Sequence, residues 1–232
     1  MKYFLIAFIL AFHADTGPVT VYVSGEMRKI MQQGDLSATI DLDSLKNFKH
    51  LFGLGVAENL QGEIVLLDGN AHVTKPQGDS LLNAETFNVK ASLLVYCQVD
   101  SWTAETINNS IPSLEALQTF VEQKRDEYHL DPDEPFPFLI TATKDRIDYH
   151  VIDWEKNTVH TPANHKKFAK SGLLNNEEIT LIGFYSDRHQ GIFTHHNSNV
   201  HIHMYGHRSK IAGHTDEVQL TAPFELRLPP GS

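Results

Sequence analysis

The chain has 232 residues, 41% hydrophobic and 21% charged, a balance that describes a soluble globular protein long enough to bury a substantial core. Its formal charge of −10 argues against a phosphate-binding surface, because affinity for nucleic acid rests on clustered Lys and Arg; nucleic acid is set aside as a partner. The single cysteine, Cys97, lies in the apolar run SLLVYCQV, which removes disulfide scaffolds and cysteine-ligated zinc from consideration and leaves a small buried hydrophobe.

Residues 1–14 carry one early lysine, a ten-residue apolar run over 3–12 and small residues near Ala14. This is the layout of a signal peptide, and the run is too short to span a bilayer as a helix. The expected location is therefore secreted or periplasmic, and cytoplasmic only if the leader is not one. No later stretch is long and apolar enough to cross a membrane, so no membrane partner is expected once the leader is removed.

The segment 15–109 reads as a β-rich N-terminal half. PVTVYVSG alternates as a strand, and Ser24 is placed to cap a short helix striped by Met27, Ile30 and Met31 and ended by Gly34. LSATIDLDSL reads as strand then turn. The glycine-punctuated LFGLGV over 51–56 predicts a tight apolar loop, since it lacks the Lys-Ser/Thr and the wider glycine spacing of a phosphate cradle. GEIVLLDG predicts a strand closed by an Asp-Gly hairpin, with Glu63 at its mouth; taken alone, Glu63 is an ordinary strand-end carboxylate. Residues 87–90 and 91–99 predict a further strand pair.

Residues 110–135 form a helix and a Pro-rich linker. Ser113 caps a helix whose apolar stripe is Leu114, Leu117, Phe120 and Val121, while Glu122, Lys124, Arg125 and Asp126 face water. Prolines at 132, 135 and 137 then break regular structure. The segment 136–232 is a second β-rich half, with strands in PFLITATK, RIDYHVIDW, EITLIGFYS, VHIHMYG and FELRLP.

Histidine is concentrated in this half. Of fourteen in the chain, four lie within 200–214, and His195 and His196 stand just upstream. In Val200–Met204 the strand alternation puts His201 and His203 on one face and Val200, Ile202 and Met204 on the other, buried one. His214 follows ten residues later, across a loop with Gly206 and Gly213. Three neutral imidazoles with an open position are a common way of holding catalytic zinc. The competing reading is a polar strand face of surface histidines. A cupin would want a glutamate soon after the HxH, and a metallo-β-lactamase would want HxHxDH; neither is present. Histidines 50, 72, 129, 150, 160, 165 and 189 fit no ligand spacing and are read as structural or exposed.

Three segments together resemble the bacterial α-acetolactate decarboxylase family. LFGLGVAENLQGEIVLLDG resembles its glycine-rich segment and glutamate-bearing strand; TLIGFYS followed by HIH, ten residues and GH resembles its metal segment; FELRLP resembles the next strand. The resemblance implies zinc at His201, His203 and His214, an active-site carboxylate at Glu63, and an α+β fold in two parts, strand-rich with mixed β-sheets and few helices. It also implies decarboxylation of 2-acetolactate, or a related 2-hydroxy-3-oxo acid, to acetoin and CO2. In that chemistry zinc chelates the hydroxyl and keto oxygens as a Lewis acid and Glu63 delivers the proton. Three imidazoles and a carboxylate also suit iron, nickel, copper or manganese. A small-molecule acid is the expected partner, and a homodimer is compatible with the reading.

Three features depart from the family pattern. The strand IDYHVIDW lacks the family's arginine, and the nearest cationic substitutes for carboxylate binding are Arg146 and Lys144, with Arg208 a further one. The family's tail, with another carboxylate, has no counterpart in 229–232. The insertion THHNSNV adds His195 and His196. The alternative function is accordingly a secreted metal-binding or sensing protein on the same scaffold without catalysis. Hydrolysis by zinc-bound water has no support beyond the metal site.

Overall fold

Period-two alternation builds two antiparallel sheets whose facing surfaces enclose the site. The computed structural model describes residues 18–231 except 144, 156, 157, 159 and 160, so the expected leader at 1–14 and Lys144 lie outside the described residues. The first sheet contains β1 (Tyr22–Ser24), β2 (Ile40–Asp41), β3 (Leu51–Ala57), β4 (Glu63–Leu67), β5 (Asn70–Gln77), β6 (Ser80–Glu85) and β7 (Lys90–Gln98). Its order is β1-β7-β3-β4-β5-β6, with β2 also on β7. The helices are α1 (Leu114–Glu127) and α2 (Pro162–Lys167). The second sheet contains β8 (Thr103–Ile107), β9 (Phe136–Ala142), β10 (Arg146–Ile152), β11 (Ala169–Asn175), β12 (Ile179–Tyr185), β13 (Val200–Gly206), β14 (Ala212–Gln219) and β15 (Phe224–Leu228). Its order is β11-β10-β14-β13-β12-β9-β15-β8. This is the strand-rich α+β architecture in two parts that was expected. The pairings between these strands are all antiparallel rather than mixed. The chain passes from the first sheet to the second between β7 and β8, ahead of the proline-rich stretch.

Three of the four apolar clusters among the described residues follow from the alternation. Leu54, Val65, Val95 and Cys97 from the first sheet meet Leu139, Ile182, Phe184 and Tyr205 from the second, which makes the layer between the sheets. Ile64, Leu66 and Leu94, on the first sheet's other face, pack with Leu42 and Leu45. Val200, Ile202 and Met204, on the second sheet's other face, pack in one cluster with Leu117 and Val121 of α1. β13 is therefore buried along its whole length, one side in each layer.

Several local expectations change in the fold. The glycine-rich 51–56 is not a loop but β3, paired with β4 and β7. A Cβ at Gly55 would stand 2.2 Å from the Leu93 carbonyl oxygen, and one at Gly53 2.7 Å from that of Val95, so these glycines serve close approach to β7 and not a turn. Gly34 does end a helical turn, Lys29–Gln33, in the left-handed region at φ 66°. Ser113 caps α1 by accepting from the Ala116 N–H at 3.2 Å. Lys124, expected in water, is buried because Glu105 of β8 accepts from its ammonium at 2.7 and 2.8 Å. Residues 87–89 are not a strand, and β6, β8 and β11 had no clear sequence signature.

Candidate metal centre

Each strand of the site turns alternate side chains into the space between the sheets. On β13 those are His201, His203 and Tyr205; on β4 they are Glu63 and Val65. His214 comes from β14 and not from a loop: Gly213 lies within the strand, and the turn expected there falls at 207–210. In the ladder His203 stands opposite His214, and His214 opposite His150 of β10. Three imidazoles thus form a row across adjacent strands, with His201 two residues along.

The rings of the predicted trio are mutual neighbours. Centroid separations are 5.0 Å for His201–His203, 5.2 Å for His201–His214 and 5.4 Å for His203–His214. Imidazoles sharing one tetrahedral ion, with metal–nitrogen bonds of about 2 Å, set their ring centres roughly 5 Å apart. His203 Nδ1 donates to the Ile64 carbonyl at 3.1 Å, which leaves the lone pair on Nε2. That Nε2 lies 3.7 Å from Glu63 Oε2. The Nδ1 of His201 is buried without a hydrogen-bond partner, a condition that costs about 1–3 kcal/mol, and that of His214 lies 3.6 Å from Asp216 Oδ1, beyond hydrogen-bond length. By ring placement the trio can gather about one ion, although the ligand atoms that already lie within 4.8 Å of one another among the described residues are those of His150, His214 and Asp216.

The electrostatics favour neutral donors. Burial, reinforced by neighbouring imidazoles, holds His201 and His203 well below the usual histidine range, and burial likewise lowers His214. Glu63 is 3% exposed, and burial pushes its carboxyl up to about 8, against the opposing pull of His150 and of the Ile152 N–H, which donates to Oε1 at 3.2 Å. The carboxyl is therefore protonated at neutral pH in the metal-free chain. Glu63 and the histidines border a cavity of about 70 Å³ whose remaining wall is apolar, including Met27, Ile30, Leu60, Leu93 and Ile152.

Two residues of the site escaped the sequence reading. His150, taken as structural or exposed, is buried against the cluster, its ring 4.7 Å from that of His214. Its Nδ1 lies 2.7 Å from Asp216 Oδ1. Among the described residues, the group whose ligand-capable atoms all lie within 4.8 Å of one another is His150, His214 and Asp216. The signal that could have found His150 is its place in RIDYHVIDW, on the face opposite Ile147, Tyr149 and Val151.

Arg146 does not join them. It begins β10, four residues before His150 and about 13 Å away along a strand. It is half-exposed and paired with Asp148 at 3.1 Å. Arg208 is exposed and pairs with Glu177. His195 does reach the cluster, 5.8 Å from His214 and 6.3 Å from His201 by ring centres; burial and the His214 charge bring it to about 4. His195, His201 and His214 also border a second, more polar cavity of about 460 Å³ that includes Asp216.

A two-sheet α+β scaffold closes around a buried imidazole–carboxylate cluster, in which His150, His214 and Asp216 could hold a metal ion. Residues 21–228 match the family described as alpha-acetolactate decarboxylase, and the chain belongs to that family of carboxy-lyases. The fold is similar to acetolactate decarboxylases from Bacillus subtilis and from its subspecies spizizenii, at 13% and 14% identity and a TM-score of 0.75 for each. Those alignments cover 92% of this chain and 86% and 87% of theirs. It is also similar to a Staphylococcus aureus protein of unknown function described as similar to alpha-acetolactate decarboxylase (14% identity, TM-score 0.73, covering 90% of this chain and 84% of the other). No curated protein sequence matched.

Proposed function

We propose that this chain decarboxylates 2-acetolactate, or a closely related branched 2-hydroxy-3-oxo acid, to acetoin and CO2. His201, His203 and His214 would hold a divalent metal, zinc by the character of the donors. When bound, the metal supplies Lewis-acid polarisation of the substrate's hydroxyl and keto oxygens. The chain's own residues do the rest. The apolar wall from Met27 to Ile152 excludes water and accommodates the alkyl substituents. Cleavage of the bond to the carboxylate leaves its electron pair delocalised into the neighbouring carbonyl. Glu63, buried beside the cluster, would then give a proton to carbon, forming the new C–H bond, and be left as a carboxylate near His203.

The observation that carries this reading is a buried carboxyl placed 3.7 Å from an imidazole whose tautomer is fixed for ligation. The test is to incubate zinc-loaded protein with racemic acetolactate and assay acetoin. The reading expects acetoin from the wild type and none above the metal-free control from His203→Ala; no acetoin from either would remove it. One observation favours the second reading, metal binding without catalysis: the lining of the inner cavity among the described residues includes no Lys or Arg to receive a substrate carboxylate. Export through the leader at 1–14 belongs to both readings, and N-terminal sequencing of protein recovered outside the cell tests it.

A further inference from the structure

Asp216 occupies an irregular position. The register between β10 and β14 runs Asp148 to Glu217 and then Tyr149 to Thr215, which leaves Asp216 as the extra residue of a β-bulge. Bulges re-aim side chains beside functional sites. Here the bulge brings Oδ1 to 2.7 Å from His150 Nδ1 and 3.6 Å from His214 Nδ1. Two neighbouring imidazoles thus turn their Nδ1 edges toward one carboxylate oxygen. A carboxylate on the far nitrogen is the usual outer partner of a metal-bound histidine, because it holds the Nδ1 proton and raises the basicity of Nε2.

His203 has the same arrangement with a carbonyl in the carboxylate's place, the Ile64 oxygen at 3.1 Å. His150 and His203 flank His214 across the strands and border the same cavity as Glu63. We propose that His150 is a fourth imidazole ligand of the ion held by His201, His203 and His214, and that Asp216 is the residue that orients both His150 and His214 for it. This rests on the metal site of the preceding reading and extends it to residues outside the HxH-x10-H pattern.

The test counts imidazoles directly. Full-length protein is loaded with zinc alone, its ligand shell is read by X-ray absorption, and zinc affinity is measured by chelator competition, for the wild type, His150→Gln, Asp216→Ala and His195→Ala. The expected shell has four imidazoles in the wild type and in His195→Ala, and three in His150→Gln. Asp216→Ala, at a side chain 42% exposed and so tolerant of truncation, keeps the four-imidazole shell while affinity falls about 10- to 100-fold. Three imidazoles in the wild type, or an unchanged shell in His150→Gln, would overturn this inference and leave the three-histidine site standing. A wild-type protein that takes up no zinc would overturn both, and zinc uptake with no acetoin would remove only the lyase reading. If His150→Gln does not fold, the wild-type count and the Asp216→Ala affinity decide the matter.

Discussion

Replacing Glu63 by glutamine isolates the proton from everything else the side chain does. Glu63 Oε1 accepts from the Ile152 N–H at 3.2 Å, and the amide oxygen of glutamine can accept the same bond, so β4 and β10 stay joined at that point. What disappears is the acidic proton facing His203. General acid catalysis by a positioned side chain contributes about 10²–10⁴-fold, or roughly 3–5 kcal/mol of barrier. The variant is therefore expected to lose that much in kcat for acetoin formation while keeping its zinc, with the two read by product assay and elemental analysis on one sample. Stability moves the other way. Burial pushes the wild-type carboxyl up to about 8, so at higher pH the metal-free wild type must carry a buried charge that glutamine never acquires. At pH 9 metal-free Glu63→Gln should unfold at higher denaturant than the wild type. A variant with wild-type kcat would refute Glu63 as the proton donor, and one less stable at pH 9 would refute the neutral buried carboxyl.

The remaining expectations concern pH, packing and capping. His201, His203 and His214 are buried with lowered proton affinity, so the unfolded chain binds more protons below about 6.5 and stability of the metal-free protein rises with pH up to there. Glu63 is raised, so the folded chain binds the extra proton between its unfolded value and about 8, and its contribution is lost as pH rises through that window. Denaturant midpoints should therefore peak near pH 6.5, by roughly 1 kcal/mol per pH unit per proton on either side, and a monotonic profile would contradict this. Gly55→Ala puts a methyl 2.2 Å from the Leu93 carbonyl oxygen and should destabilise by about 1–3 kcal/mol in urea unfolding; a neutral effect would mean β3 and β7 are not so close. Ser113→Ala removes the α1 cap and should cost about 1 kcal/mol with zinc content unchanged.

The centre was only partly legible in the chain because its residues obey two kinds of rule. The alternation of His201 and His203 is local, since a strand fixes which side chains share a face before any partner is known. Ser113 and Gly34 were readable for the same reason, as both act on backbone groups a few residues away. His150 and Asp216 obey a cross-strand rule: one enters through the register of β10 on β14, the other through a bulge in that register, and neither is encoded by spacing along the chain. Gly53 and Gly55 carry a double meaning for the same cause, because a glycine needed for close approach to a neighbouring strand looks like a glycine needed for a turn. Lys124 looked solvated until β8 brought Glu105 against it. Arg146 was, with Lys144, the nearest cation to the strand where the resemblance expected an arginine, yet the rise of that strand carries it away from His150 and the cluster.

One ion shared by imidazoles from β13 and β14 with Glu63 beside it is tested most directly by anomalous diffraction from crystals of the zinc-loaded protein. The expected result is one strong zinc peak between the sheets, about 2 Å from nitrogens of His201, His203 and His214. A peak confined to surface histidines, or none between the sheets, would contradict it.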